Sequence, residues 1–279
     1  MSIVAKALCY LENNYARPEL DLDDVAASCQ VSRFHLTRAF GSATGLSLMR
    51  YLRARRLTEA ARLLAAGAPD ILAVALDAGY GSHEAFTRAF RDQFGCTPEA
   101  VRAQGDCQGL ALVHALRLDH RAPAPMCAPR VVERDAFTVA GLCARYTHET
   151  AAGIPALWQR FAGHGAPPNR IGTHEYGVCV HADGGAYDYT CGIEVGGAGS
   201  AAGAAGLALL RIPSQRYAVF FHAGHIAAIR MSFRAIFDEW LPASGLRATG
   251  GPDFERYDAR FDVATGEGGV EIWIPVALP

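Results

Sequence analysis

The sequence predicts a multidomain fold: an all-α N-terminal domain of two repeated helical units, then an α+β C-terminal domain of two strand-helix-strand-strand halves. The chain has 279 residues, 51% of them hydrophobic, which is more than one ordinary domain needs. Apolar residues recur at helical spacing over the first hundred positions, whereas strand-like runs prevail beyond 130. A five-residue segment also recurs fifty positions later. We therefore predict domains at 1–105 and 131–279, joined by a linker at 106–130.

Composition and charge exclude several classes of protein. A hydrophobic share of 51% with 19% charged residues is not that of a disordered chain. The sequence has no uncharged apolar run of about eighteen residues and no signal-peptide pattern, so we expect a cytoplasmic protein without a membrane partner. Net charge is −2, yet arginines concentrate between Arg33 and Arg62, where Glu59 is the one acidic residue. That local density favours a partner with a phosphate backbone.

The repeat is the strongest signal in the first domain. The segment Leu36–Phe40 (Leu-Thr-Arg-Ala-Phe) recurs as Phe86–Phe90 (Phe-Thr-Arg-Ala-Phe), and the same offset pairs Ser32 with Ser82 and Gly45 with Gly95. An identical Thr-Arg-Ala-Phe sequence with matching flanks indicates the duplication of one helical unit.

Each copy has the pattern of a short helix, a tight turn and a second helix. The second helix of the first copy begins after Ser32, a favourable N-cap. Its apolar face predicts that Leu36, Ala39 and Phe40 are buried, and the second copy predicts the same for Phe86, Ala89 and Phe90. The other predicted elements are short helices at Leu22–Ser28 and Ile71–Asp77, a turn at Gly79–Gly81 and a long connecting helix at Ser47–Ala66.

The opposite face of each second helix carries the same polar pair, Thr37 with Arg38 and Thr87 with Arg88. An outward arginine can bind a guanine edge through two hydrogen bonds, threonine can contact a base or a phosphate, and Phe34 can pack on a thymine methyl group. The alternative is an all-helical interaction domain whose arginines are only solvated. Duplication of the polar pair favours two DNA-reading helix-turn-helix units, because two such helices can enter successive turns of the major groove.

Residues 3–103 resemble the AraC-type DNA-binding domain, through Ala39–Gly45 (Ala-Phe-Gly-Ser-Ala-Thr-Gly) and through the segment Ala78–Pro98. Glu84 departs from the family pattern: its carboxylate either specifies cytosine or weakens the second reader. Leu48 departs too, where family members often carry the proline that the second copy has at Pro98. The resemblance implies base contacts from Arg33, Phe34, Thr37 and Arg38 in the first unit, and from His83, Glu84, Thr87 and Arg88 in the second.

The second domain alternates strand-like runs with two helical ones, near Leu157–Phe161 and Ile226–Leu241. Two glutamates stand in strand-like runs, and each shares a face with an aromatic ring two residues on: Glu255 with Tyr257, and Glu271 with Trp273. A carboxylate among aromatic rings suits an organic cation. The alternative is that the rings fill a core and the glutamates are solvated or paired with arginine. The strand-like runs are Val131–Ala140, Tyr176–Val180, Tyr187–Val195, Tyr217–His222 and Val270–Val276.

The order of motifs in 131–276, from Leu-Trp at 158 to Glu-Ile-Trp-Ile-Pro-Val at 271–276, resembles the GyrI-like effector-binding domain. That resemblance implies a pseudo-two-fold α/β sheet with a groove that binds hydrophobic, often cationic, small molecules. We rank Glu271 above Glu255 because its strand alternates more cleanly. The groove candidates are Trp158, Tyr187, Tyr189, Trp240, Glu255, Glu271 and Trp273.

These observations predict a ligand-responsive transcription regulator whose partners are double-stranded DNA, a small apolar or cationic effector and RNA polymerase. We expect no cofactor, no metal and no catalysis, and we interpret His222 and His225 as a loop pair without metal. Two alternatives stay open: a small-molecule hydrolase with Glu271 or Glu255 as general base, and a domain that docks another protein.

Overall fold

The computed structural model describes residues 2–116, 128–165, 167, 169–182, 185–197, 206–263 and 265–278. The chain forms two compact units, Met1–Leu36 with Leu48–His120, and Thr37–Ser47 with Arg121–Pro279. The segment Thr37–Ser47 thus belongs to the second unit. The predicted domain bounds stay a prediction, and residues 117–127 of the predicted linker lie outside the described residues.

The N-terminal region is helical, as predicted, and its helices begin at side-chain caps. Asp21 and Asp24 form a capping box, and the Oγ of Ser82 accepts a hydrogen bond from the backbone N–H of Ala85. The helices are α1 (Ile3–Asn14), α2 (Leu22–Cys29), α3 (Arg33–Thr44), α4 (Leu48–Ala65), α5 (Ile71–Asp77), α6 (His83–Phe94) and α7 (Pro98–Gln104).

The two copies of the repeat bury equivalent positions. Leu36 in α3 and Phe86 in α6 are fully buried, and so are Phe40 and Phe90. The predicted apolar face is confirmed at these positions, while Ala89 is half-buried. In the second copy, Phe86 and Phe90 pack with the ring of Tyr80 at one end and Phe94 at the other.

A buried arginine joins α1 to α4 in the first unit. The guanidinium of Arg55 binds both carboxylate oxygens of Glu12, at 3.0 Å from Nε to Oε1 and 2.9 Å from Nη2 to Oε2. Its Nη1 donates to Glu59, and the hydroxyl of Tyr51 donates to Glu12. Because Arg55 is buried, its charge depends on these partners.

We expect Glu12→Gln to lower the free energy of unfolding by about 1–2 kcal/mol, because it removes the charge that Arg55 pairs with. Urea denaturation checks this. The matched control is Glu19→Gln, which breaks the exposed pair with Arg17 and is expected to leave stability unchanged within the precision of the measurement. Equal effects of the two substitutions would contradict the assignment of Arg55 as a buried tie.

The second unit holds one curled antiparallel sheet with helices on one face. Its strands run in the order β1-β6-β9-β8-β3-β4-β2-β5, and β7 pairs with β9 outside this path. The elements are β1 (Arg130–Arg134), β2 (Phe137–Thr147), α8 (Ile154–Ala162), β3 (Arg170–His181), β4 (Ala186–Val195), β5 (Ala208–Ile212), β6 (Gln215–Ala223), α9 (Ile229–Ala235), α10 (Leu241–Ala243), β7 (Arg247–Ala248), β8 (Asp253–Tyr257) and β9 (Gly269–Ala277).

The strand order displays the predicted pseudo-two-fold repeat. The first half is β2, α8, β3, β4 and the second is β6, α9, β8, β9. In each half, the last strand in sequence (β4 or β9) lies between the other two strands of that half. The halves join where β3 pairs with β8. The predicted α+β class with two strand-helix-strand-strand halves is confirmed. Residues 198–205, within the glycine-rich stretch 196–206, lie outside the described residues.

Candidate functional site

The central strands separate the sheet into two chemically different faces. In the register of β3 with β8, Gly177 stands opposite Glu255 and Cys179 opposite Asp253. Residues directly opposite in an antiparallel pair share a face, so these four lie on one side. Phe254 stands opposite Trp273 of β9 and lies on the other side. Glu255 and Glu271 therefore occupy opposite faces.

A cavity of about 560 Å³ opens beside Glu255, and we call it the Glu255 cavity. Its walls come from β3, β4, β8, α9, the segment after β2 and the part of α3 that belongs to the second unit. The residues that line it include Arg38, His148, Tyr187, Tyr189, Phe233, Glu255 and Tyr257.

The carboxylate of Glu255 is held by two phenols. The hydroxyls of Tyr189 and Tyr257 donate to Oε2 over 2.9 and 2.8 Å, and the indole N–H of Trp158 donates to the Tyr189 oxygen over 3.1 Å. No arginine of the described residues forms an ion pair with Glu255. The predicted residues Trp158, Tyr189 and Glu255 thus form one hydrogen-bonded chain, to which Tyr257 adds a second phenol.

Gly177 makes this arrangement sterically feasible. A Cβ atom built at position 177 would lie 2.0 Å from the hydroxyl oxygen of Tyr189 and 2.8 Å from Oε2 of Glu255. The backbone of β3 therefore approaches the carboxylate and the phenol as closely as only glycine allows.

Burial sets the electrostatics of the cavity. It raises the pKa of Glu255, and it raises the pKa of Tyr189 and Tyr257 well above the usual value, with the charge of Glu255 adding to the effect. Burial, with the charge of Arg38, lowers the pKa of His148 to about 4, so its imidazole is neutral near pH 7. A positive charge in the cavity would stabilise the ionised form of Glu255.

Arg38 does not point to solvent, which corrects the prediction for this residue. It is 5% exposed, and its Nη2 lies 2.6 Å from Oδ2 of Asp253, which is 1% exposed. The other carboxylate oxygen of Asp253 lies 2.6 Å from Nε2 of His181. Burial disfavours the charged form of Asp253, but Arg38, His181 and a backbone hydrogen bond together outweigh burial and lower the pKa of Asp253. The prediction failed because the acceptor of Arg38 is 215 residues away in sequence.

Glu271 and Trp273, which were predicted for the same groove, lie on the other face. Arg130 and Arg256 pair with Glu271 at 2.7 and 2.6 Å, and the indole N–H of Trp273 donates to it. Trp273 is buried and stacks on Phe254. This arrangement reverses the predicted ranking of the two glutamates, because the charge of Glu271 is already neutralised by arginines.

The remaining groove candidates divide between two places. Tyr187 lines the Glu255 cavity together with Tyr189. Trp240 packs edge-on against Phe220, and it lines neither the Glu255 cavity nor the second cavity of this unit. A second cavity of about 540 Å³ adjoins the first, sharing Tyr257 with it and including Trp158. Trp158 therefore lines the second cavity and packs against Tyr257, which lines both.

Sequence reasoning missed three residues of this site. Asp253 lies two positions before Glu255 on the same strand face, so strict alternation was the signal that could have found it. His148 and Phe233 come from segments outside the strand pattern, and nothing in the sequence marks them. Within the described residues, no cluster of three or more His, Cys, Asp or Glu side chains is placed to hold a metal.

The predicted DNA-contact residues have different environments. Arg88 and Glu84 are exposed on α6, and Thr87 is half-buried. His83 lies 3.0 Å from Glu99 through its Nε2. In α3, Arg33 is exposed and pairs with Asp23, while Phe34 and Thr37 are half-buried. Of the two repeated arginines, only Arg88 is exposed.

Both parts of the chain match known protein families. Residues 128–277 match the GyrI-like small molecule binding domain, and residues 25–104 match a helix-turn-helix domain. The first match covers more than half of the chain. The chain belongs to the GyrI-like family.

The relatives of this GyrI-like protein include regulators of transcription. It is 27% identical to the transcriptional regulator Rob of Salmonella typhimurium over 99% of this chain and 97% of that protein. It is 34% identical to the transcriptional regulator BrlR of Pseudomonas aeruginosa over 53% of this chain and 54% of that one. A structure of SAV2435 bound to tetraphenylphosphonium covers 53% of this chain and 93% of that chain, with a TM-score of 0.44 and 19% identity.

The predicted architecture, an AraC-type helix-turn-helix region followed by a GyrI-like domain, is confirmed. The protein is a DNA-binding transcription regulator that responds to small molecules. In the described part of the chain, no helix has the length and apolar character needed to cross a bilayer.

We expect Gly177→Ala to destabilise the fold by about 1–3 kcal/mol, because the added methyl group overlaps the Tyr189 hydroxyl and Glu255. Thermal and urea unfolding measure the change. Gly250→Ala is the matched control, since a Cβ atom there meets nothing within 4 Å. Full stability of Gly177→Ala would show that the phenol and the carboxylate do not approach the strand as described.

Proposed function

We propose that the Glu255 cavity is the effector site and that it binds a small molecule with an apolar body and one positive charge. The observation that carries this is the charge of Glu255, which faces a cavity and is bound by phenols rather than by an arginine. A bound cation supplies the missing opposite charge to this half-buried carboxylate.

The aromatic walls support an apolar cation in particular. The rings of Tyr187, Tyr189, Tyr257 and Phe233 line the cavity, and ring faces attract a positive charge. A neutral apolar molecule would leave the carboxylate unpaired, and an anion would be repelled by it. The volume of about 560 Å³ is within the range of small-molecule sites.

For DNA, we propose base contacts from the two repeated helices. Exposed Arg88 in α6 supports this role directly, with His83, Glu84 and Thr87 beside it. In α3 the proposed contacts are Arg33, Phe34 and Thr37, together with Arg38 once it has left its buried position.

The proposal is binding rather than turnover, because the relatives are named as regulators. The hydrolase alternative, in which Glu255 acts as general base, would require product formation that Glu255→Gln abolishes. RNA polymerase stays a predicted partner, in keeping with a relative named as a transcriptional activator. A cytoplasmic location also stays a prediction.

We expect the full-length protein to bind tetraphenylphosphonium, and Glu255→Gln to weaken that binding by about tenfold or more, because the amide removes the charge that the cation pairs with. Isothermal titration calorimetry measures both affinities. Glu271→Gln is the matched control and is expected to bind like the wild type. Tetraphenylborate, of the same shape and opposite charge, is expected not to bind. Equal binding of the two ions, or an equal loss in both variants, would contradict the proposed site.

Binding of tetraphenylphosphonium is expected to weaken on acidification. Burial raises the pKa of Glu255, so the carboxylate takes up a proton at a higher pH than an ordinary glutamate and then has no charge for the cation. His148, with a pKa of about 4, becomes charged only at still lower pH. Titrations at several pH values measure this, and Glu255→Gln is expected to remove the dependence. Constant affinity of the wild type across that range would count against Glu255 as the partner of the cation.

We expect Arg88→Ala to cost about 1–3 kcal/mol in binding to a duplex that the protein has selected from random sequences, because one base contact is lost. Gel-shift titration at fixed salt measures the affinity. The control is Arg62→Ala, an exposed arginine that pairs with Glu59 and has no proposed base contact. If Arg88→Ala loses as much affinity for random duplexes, the arginine contacts only the phosphate backbone.

A further inference from the structure

The buried position of Arg38 has the chemistry of a cation site. Its guanidinium pairs with Asp253 at 2.6 Å and lies 4.5 Å from the ring centre of Phe233 and 5.5 Å from that of Phe237. A carboxylate and aromatic faces are also what the proposed effector site offers a ligand. Arg38 and Phe233 are part of the wall of the Glu255 cavity itself. The chain's own arginine therefore occupies one side of the effector site.

The repeat indicates that this position is not imposed by the helix. Arg88 stands at the equivalent place in α6, with the same Thr before it and the same Ala-Phe after it, and it is exposed. Both helices bury two equivalent positions, 36 with 86 and 40 with 90. Arg38 differs because Asp253, Phe233 and Phe237 surround it.

The buried contact is also incompletely satisfied. The Nε of Arg38 is buried and has no hydrogen-bond partner among the residues that the structure describes. A buried donor without an acceptor offsets part of the stabilisation that the ion pair gives to the buried position. The buried and released positions of the side chain are therefore closer in free energy than the short ion pair alone indicates.

We propose that Arg38 is the intrinsic occupant of the effector site, and that a cationic effector displaces it and so frees it to contact DNA. This inference rests on the proposed function of the Glu255 cavity and adds its regulation. Two positive charges within one cavity repel each other, and both need the aromatic wall that Phe233 provides. Effector binding and burial of Arg38 therefore oppose each other, and the released arginine returns to the exposed face of the DNA-reading helix.

Linkage makes the proposal measurable. If tetraphenylphosphonium shifts Arg38 toward its released position, it raises the affinity for the selected duplex, and the duplex raises the affinity for tetraphenylphosphonium by the same factor. We expect a factor of about tenfold for the wild type. Fluorescence anisotropy of labelled duplex, with and without the probe, measures the first arm, and calorimetry with and without duplex measures the second.

Arg38→Gln is the decisive variant. Without DNA, we expect it to bind tetraphenylphosphonium more tightly than the wild type by about fivefold or more, because the competing cation is gone. Its affinity for the duplex is expected to be lower and to be unchanged by the probe. Arg88→Gln is the matched control: it also loses duplex affinity, but it keeps both the wild-type affinity for the probe and the coupling.

Asp253→Asn tests the other side of the ion pair, since it is expected to bind the duplex tightly without the probe and to show no further gain with it. If this variant does not fold, the Arg38→Gln comparison decides the question alone. Coupling that persists in Arg38→Gln, or a wild type that binds both ligands without coupling, overturns the inference and leaves the proposed function standing. Failure of the wild type to bind the probe contradicts the proposed function and this inference together.

Discussion

The pairing of β3 with β8 is the constraint on which the functional chemistry depends. It joins the two halves of the sheet and sets Gly177 opposite Glu255 and Cys179 opposite Asp253. Because side chains alternate along a strand, the same register sends Phe254 and Arg256 to the other face. A shift of one residue would exchange the two faces, moving Glu255 away from the cavity and Asp253 away from Arg38. The close approach at Gly177 adds a steric condition to this register.

Both faces of the sheet place positive charge beside aromatic rings, but the arginines that carry this charge come from different elements. On the face of Trp273, Arg134 lies 3.9 Å from the ring centre of Phe137 and pairs with Glu194, while Arg130 and Arg256 neutralise Glu271. That face is a cation site filled by strand residues of the sheet itself. On the other face, Asp253 has Arg38, and Glu255 has two phenols. The unequal supply of arginines makes the second face the one that can accept a foreign cation.

The sequence predicts the architecture well and the site in part. The fifty-residue offset and the alternation of apolar residues are local properties, so they predict both helix pairs and the two sheet halves. These local patterns cannot show which face of the sheet is covered by the helices. Glu255 and Glu271 therefore look alike in the sequence, because each shares a strand face with an aromatic residue two positions on. Only the register between distant strands separates them. The prediction that Arg38 faces outward failed for a related reason. Its exposure depends on a contact with Asp253, and the periodicity of a helix carries no information about contacts with distant residues.

The duplicated helices show how identical residues acquire different roles. In α6 the position of Arg88 on the helix alone determines its exposure, and the side chain stays at the surface. In α3 the same Thr-Arg-Ala-Phe sequence meets a carboxylate and two aromatic rings, and the arginine becomes part of the wall of the Glu255 cavity. A contact with DNA through Arg88 needs no rearrangement of that side chain, whereas one through Arg38 requires a buried ion pair to break. Under the proposed function, a ligand in the Glu255 cavity would act on the free energy of that ion pair, because ligand and arginine would use the same wall.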